Sequence, residues 1–447
     1  MSEQKQETPS LRRNLTAFDG IALLIGITIG AGIYSTPQII ATYQDAFSSI
    51  LLLWILAGVF VIIGGLIYAE LGARLPYTGG EYVYIHRVFG PFAGFIFGWA
   101  QLFIIRTSPA AGLALIAANY IGYFIPLAGW VHTATALLVI VCIGILNYTG
   151  IQYAGLFQRV TTILKVVGLF ILAFGGMLLI QDTAQPLDTT LAPTASLGPV
   201  GNTVAAIMLV LFSYIGWDRV GYVAGEMKNP KRTIPIALIT GLSCTVLIYI
   251  VTVTMYHMTL GLDGVRSSTI VASDAATLFF GPIGVALVSI LVIISVIGSI
   301  NGTYMSASRV YYAMAHDGLF FKWLDHIHPR FRTPSRAVLA HGIWGAVILL
   351  VRGSFETIVA GMVFAILTFY ILTTIALFKL RMDEEDGYEG FKMPFYPILP
   401  AIYLLGLIAL VVLRAVFEWQ NSLMDLAFIA TGVPVSWFWL RKKPATE

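Results

Sequence analysis

The chain has 447 residues, of which 58% are hydrophobic and 11% charged, whereas soluble domains carry about 25% charged residues. With a mean hydropathy of +0.84 and long apolar runs from end to end, this composition excludes a soluble globular protein and points to a polytopic helical membrane protein. The net charge of +3 says little by itself; the placement of the charges says more.

Residues 1–16 are polar and read as a mobile cytoplasmic tail. Arg12 and Arg13 precede an apolar run that no small-residue cleavage site ends, so this run is an uncleaved first span rather than a signal peptide. The hydropathy pattern predicts twelve spans: 17–40, 49–72, 92–122, 131–149, 157–180, 202–225, 235–258, 284–310, 336–351, 356–380, 397–415 and 422–440. Lysines and arginines gather in the N-terminal tail, in alternate loops and in the tail 441–447, whereas the opposite loops hold Arg266, Arg352 and Arg414. The positive-inside rule then places both termini in the cytoplasm.

The first span contains Gly26-Ile27-Thr28-Ile29-Gly30-Ala31-Gly32-Ile33-Tyr34. Each glycine in a helix interior costs about 1 kcal/mol relative to alanine. Irregular backbone at membrane depth persists only where it is packed in protein or lines a cavity. This stretch therefore predicts a broken helix. The sixth span carries a second interruption, Phe212-Ser213-Tyr214-Ile215-Gly216-Trp217-Asp218. Paired interrupted helices at matching positions of two halves point to an inverted-repeat carrier with its site at the midplane. The repeats would be 17–180 and 202–380, five spans each, with two extra helices over 397–440. Close packing through small residues is the plainer explanation of each break taken singly.

If both helices are broken, the amides of Gly30, Ala31 and Gly32 stand unpaired at the start of a half-helix and suit a carboxylate. The carbonyls of Phe212, Ser213 and Ile215, around Gly216, suit an ammonium group, with that of Thr28 nearby. An α-amino acid carries the two charges about 3 Å apart and would bridge the breaks. Pro109, Ala110, Leu113 and Phe212 are the expected walls, and the Phe212 ring is either a gate over substrate or packing. Lys165, alone in the fifth span, is either a coupling cation that titrates or replaces a bound sodium ion, or a side chain snorkelling to the interface. Arg106 is a second intramembrane charge; Asp218 either forms a local ion pair with its neighbour Arg219 or pairs with Arg106. Glu70 and Glu81 lie near loops and read as solvated. Both cysteines, Cys142 and Cys244, fall inside spans, and the histidines lack ligand spacing. No metal site, cofactor, nucleic-acid partner or catalytic motif is expected.

These features sit in longer motifs: GITIGAGIY in the first span, YTGGEYVYIHRVFGPFAGFIFGW (Tyr77 to Trp99) and IIRTSPAAG (Ile104 to Gly112). Further on come FSYIGWDRVGYVAGEMKNPKRTIPIAL (Phe212 to Leu238), SVIGSINGTYMSASRVYYAMAHDGLF (Ser295 to Phe320) and HPRFRTP (His328 to Pro334). As a set they resemble the amino acid–polyamine–organocation superfamily over nearly the whole chain. Within it they are most similar to the L-type amino acid transporters and their bacterial serine/threonine-exchanger relatives. The resemblance implies a LeuT-type fold, with the substrate carboxylate on the amides of Ala31 and Gly32. It implies the ammonium on carbonyls of Thr28, Phe212 and Ile215, Phe212 as gate, and Lys165 in place of sodium. Ala31 stands where many relatives have serine. Eukaryotic relatives pair with a glycoprotein through a disulfide; with no cysteine in an external loop, this chain is expected to work without such a partner.

The leading expectation is a sodium-independent exchanger of neutral L-amino acids in the plasma membrane. The alternatives are a proton-coupled symporter, a cationic amino acid or polyamine carrier, and a non-transporting sensor.

Overall fold

The computed structural model describes residues 13–179, 184–195, 197–268, 270–352, 362–383, 388–417 and 419–441. The N-terminal residues before Arg13, the start of the predicted tenth span and the tail after Arg441 lie outside the described residues. Among the described residues every regular element is helical, and the β contacts are two isolated bridges. Ten helices are long and apolar enough to cross a membrane, so the fold is that of a multi-pass membrane protein. The stretches read as ninth and twelfth spans form shorter or interrupted helices.

The first span is broken into α1 (Ala17–Thr28), α2 (Gly32–Ser35) and α3 (Pro37–Tyr43). Thr16 starts α1 with a capping box, its side chain accepting from the Asp19 amide while Asp19 accepts from the Thr16 amide. Leu15, placed by its surroundings in a mobile tail, is in fact buried. Its amide donates to the Glu226 carbonyl at 2.9 Å, and its carbonyl accepts from the Lys228 amide at 2.7 Å. The end of the tail is thus tied to the loop after the sixth span.

Helices α4 (Phe47–Arg74), α5 (Glu81–Ala100) and α6 (Thr107–Ile121) follow. Between α5 and α6, one turn before Pro109, the helix widens into a π turn over Gln101–Ile105. There Arg106 N donates to Gln101 O at 3.0 Å, and the Thr107 hydroxyl donates to Leu102 O. This widening turns Arg106 inward, as π bulges at functional sites commonly do. The chain continues through α7 (Trp130–Tyr148), α8 (Ile151–Phe170) and α9 (Gly176–Leu179) to α10 (Gly198–Tyr214). After α10 a tight 3₁₀ segment, Trp217–Glu226, precedes α11 (Pro230–Ser267). The remainder is α12 (Val271–Phe280), α13 (Pro282–His316), α14 (Ser335–Arg352), α15 (Met362–Asp383), α16 (Ile398–Phe417), α17 (Trp419–Ala430) and α18 (Gly432–Arg441).

Burial separates centre from rim. The span Ala17–Ser35 has 83% of its apolar window buried, whereas Ile398–Phe417 has 22%. Helix α1 packs against α8, α11, α13 and the 3₁₀ segment, so the first break sits inside a cage of other helices. A helix that is apolar all round and buried all round belongs at the core of a bundle, and its irregular backbone must be satisfied by protein.

Candidate functional site

The two breaks touch. A Cβ added at Gly216 would lie 2.6 Å from Ile27 Cγ2 and 3.2 Å from Thr28 N, and Gly216 has φ of 125°. One added at Gly32 would lie 2.7 Å from Ser213 Cα. Only glycine permits both the left-handed turn at residue 216 and this approach of backbone to backbone. The sequence-predicted breaks are therefore two sides of one place, joined further by the pair Thr36 Oγ1 and Ser213 Oγ at 2.8 Å.

Their backbone groups are partly engaged. Gly30 N donates to Thr28 O at 2.8 Å, so its amide is not the unpaired donor expected from the sequence; the chain folds back on itself there. The amides of Ala31 and Gly32 find no acceptor among the described residues. On the other break, Ile215 N donates to Phe212 O at 3.1 Å. Tyr249 of α11 lies between the breaks, its hydroxyl 2.7 Å from Thr28 O and 2.9 Å from Ser213 O. One hydroxyl proton serves one acceptor at a time, so the second carbonyl keeps acceptor capacity. A tyrosine in an apolar span carries no signal for such a role, and Tyr249 was missed.

A cavity of about 50 Å³ opens at this junction. It is bounded by Thr28, Gly30, Ala31 and Gly32 from the first break and by Phe212, Ser213 and Ile215 from the second, with Pro109 and Leu113 of α6 as walls. Of the residues expected here, Ala110 and Gly216 do not line it; Ala110 is buried within α6 and Gly216 packs on Ile27. Ile27, Ser299, Thr303, Met362 and Arg219 also line it and were not anticipated. The four-residue spacing of Ser295, Ser299 and Thr303 along α13 was the available clue, since it sets three hydroxyls on one helix face. At a few water molecules' worth of space, the cavity matches a small polar solute.

Lys165 does not snorkel. Its ammonium is fully buried and lies 2.7 Å from Gly26 O, 2.9 Å from Ile29 O and 2.8 Å from Ser295 O, with Ser299 Oγ at 3.4 Å. Three N–H donors meet three carbonyls, two of them freed by the first break and one on α13. The Ser295 and Ser299 hydroxyls add donors to Ile29 O and Gly26 O at 2.8 and 2.9 Å. This is an oxygen cage around a fixed positive charge.

A second cluster lies beyond the other break. Arg106 is wholly buried; it bonds Asp218 through Nη2, Tyr222 Oη at 2.6 Å and Gln101 Oε1 at 2.6 Å, with Glu81 Oε2 at 3.4 Å. Asp218 thus pairs with Arg106, while Arg219 donates from Nη1 to Thr303 Oγ1 at 2.5 Å. Tyr68 and Tyr222 both donate to Glu81. The reading of Glu70 and Glu81 as solvated is corrected: both are buried. Glu70 accepts from Arg74, from Arg381 and from the Met393 amide. Their positions near loops hid partners contributed by distant segments. Glu226 and Arg309 make a further buried pair, at 2.7 and 3.2 Å, between the 3₁₀ segment and α13.

A family model described as amino acid permease matches residues 15–436. The chain belongs to that family. Relatives of this permease include the serine/threonine exchanger SteT of Bacillus subtilis (strain 168), 29% identical over 98% of this chain and 99% of its own. The human cystine/glutamate transporter is 29% identical over 98% of this chain and 88% of its own. The human b(0,+)-type amino acid transporter 1 is 28% identical over 97% and 89%. The permease family carries amino acids through membranes, and these relatives are transporters rather than enzymes.

Proposed function

We propose that this permease is a sodium-independent exchanger of neutral L-amino acids, working by alternating access in the plasma membrane with both termini cytoplasmic. The observation that carries the reading is the Lys165 cage. A carrier that used sodium to join the first break to α13 would need an empty set of oxygens there, and here a lysine ammonium occupies them. In this reading the substrate carboxylate sits on the amides of Ala31 and Gly32. Its ammonium takes the acceptor capacity left on the carbonyls of Thr28, Phe212, Ser213 and Ile215, and Phe212 gates the cavity.

The small cavity without a lining carboxylate favours short, uncharged side chains over cationic ones. An exchanger name among the relatives supports exchange over net uptake. The repeats 17–180 and 202–380, flanked by two further helices to make twelve, each contribute one of the two breaks to the site. Both cysteines, exposed on apolar helices α7 and α11, leave the carrier to act without a disulfide-linked subunit. The test is counterflow in proteoliposomes. Labelled amino acid should enter only when unlabelled amino acid is inside; entry driven by an inward proton gradient into empty vesicles would replace exchange with symport, and no entry under either condition would reject transport of the amino acids tried.

A further inference from the structure

Arg219 lines the cavity, is 2% exposed, and lies three residues after Gly216 of the second break. Among the described residues the one hydrogen bond of its side chain is the donation from Nη1 to Thr303 Oγ1, itself a cavity residue. Its Nε is buried without an acceptor. No carboxylate reaches it: among the described residues Asp218 makes its ion pair with Arg106, and so does Glu81. A guanidinium has five N–H donors, and a buried one left without acceptors is costly. Such groups are retained where they meet a ligand or a partner.

We infer that Arg219 is the residue that reads the substrate side chain, selecting amino acids whose short side chain ends in an oxygen acceptor. This rests on the transport reading above and sharpens its substrate class. The chemistry favours a neutral acceptor over a net anion. Although no carboxylate bonds Arg219, the buried groups counted together are two cations, Arg106 and Arg219, and two carboxylates, Glu81 and Asp218, so the cluster calls for an acceptor more than for a compensating charge. Hydroxyl and amide side chains fit that demand in a cavity of about 50 Å³. Aliphatic isosteres leave the donors unmet, and lysine or arginine side chains bring a like charge beside a buried cation. A site that hydrogen-bonds a substrate oxygen discriminates strongly against the analogue lacking it, because its own polar group is then left unpaired.

Threonine and valine are near-isosteres that differ by this one oxygen, and serine and alanine differ by the hydroxyl. In counterflow with each as labelled substrate, the wild-type protein should favour threonine over valine, and serine over alanine, by about 10- to 100-fold in rate over KM, the range of one charge-assisted hydrogen bond. Arg219→Met should collapse both ratios toward one, and Arg219→Lys should restore part of them. Equal handling of threonine and valine by the wild type overturns the inference while leaving exchange intact. So does an undiminished ratio in an Arg219→Met protein that elutes as a single species. Should that variant not fold, Thr303→Val removes the hydroxyl that accepts from Arg219 Nη1, along with its donation within α13 to Ser299 O, and a threonine-to-valine ratio moved by less than twofold counts against the inference. Failure of every amino acid to exchange would instead reject the transport reading.

Discussion

Two fully buried cations sit beside the two breaks, and the protein treats them differently. Lys165 has its three donors matched by three carbonyls, two on the first break and one on α13. Arg219, beside the second break, has one hydroxyl and no carboxylate among the described residues. A saturated ammonium ties helices together and holds a charge in place. An unsaturated guanidinium on a cavity wall keeps donors for whatever enters. In the proposed exchanger, this difference separates what every transport cycle needs from what distinguishes one substrate from another. It follows from side-chain geometry: an ammonium on a flexible stem settles into a tetrahedral cage, whereas a planar fork presents donors in several directions.

Perturbing each side should break the comparison in different ways. Lys165→Ala removes the buried positive charge and three donors from carbonyls that then keep only the Ser295 and Ser299 hydroxyls, at about 1–3 kcal/mol for each hydrogen bond to a charged group. Counterflow by that variant should fall below about one-hundredth of wild type while the detergent-solubilised protein still elutes as a single species; a rate near wild type would leave the cage without a role. Asp218→Ala removes the carboxylate facing buried Arg106 and should lower unfolding stability by about 3 kcal/mol or more, read in denaturant titrations. Arg219→Met, which strands no carboxylate, should shift the same titration by no more than about 1 kcal/mol, and a larger loss would mean Arg219 is structural. Gly216→Ala forces a methyl against Ile27 at a positive φ, for a loss of about 1–3 kcal/mol and slower exchange. Cys142→Ser and Cys244→Ser, both on exposed faces, should stay within about 0.5 kcal/mol.

Much of the centre was legible because its residues are costly where they stand. Three glycines in one apolar helix, and a lone lysine in another, make little sense without irregular backbone and a set of acceptors. The membrane fold class was equally plain from hydropathy. What stayed hidden depends on distant contact. Glu70 looked solvated because its sequence neighbours are loop-like, yet Arg381 and Met393, 311 and 323 residues away, enclose it. Gly30 looked like a free donor until its carbonyl partner two residues back was seen. Tyr249 and Arg219 carried no local signal, because an aromatic in a span reads as packing and Asp218-Arg219 reads as a self-contained pair. The hydroxyls of Ser295, Ser299 and Thr303 were readable by spacing but acquire meaning only once α1 lies against α13.

In the proposed exchanger, Lys165 permanently fills the position a coupling sodium ion would take. The most direct measurement of this is the initial rate of amino acid counterflow as sodium is replaced by choline at constant ionic strength. The account predicts one rate across the whole series for the wild-type protein. A rate that climbs with sodium, or that requires it, would contradict the account.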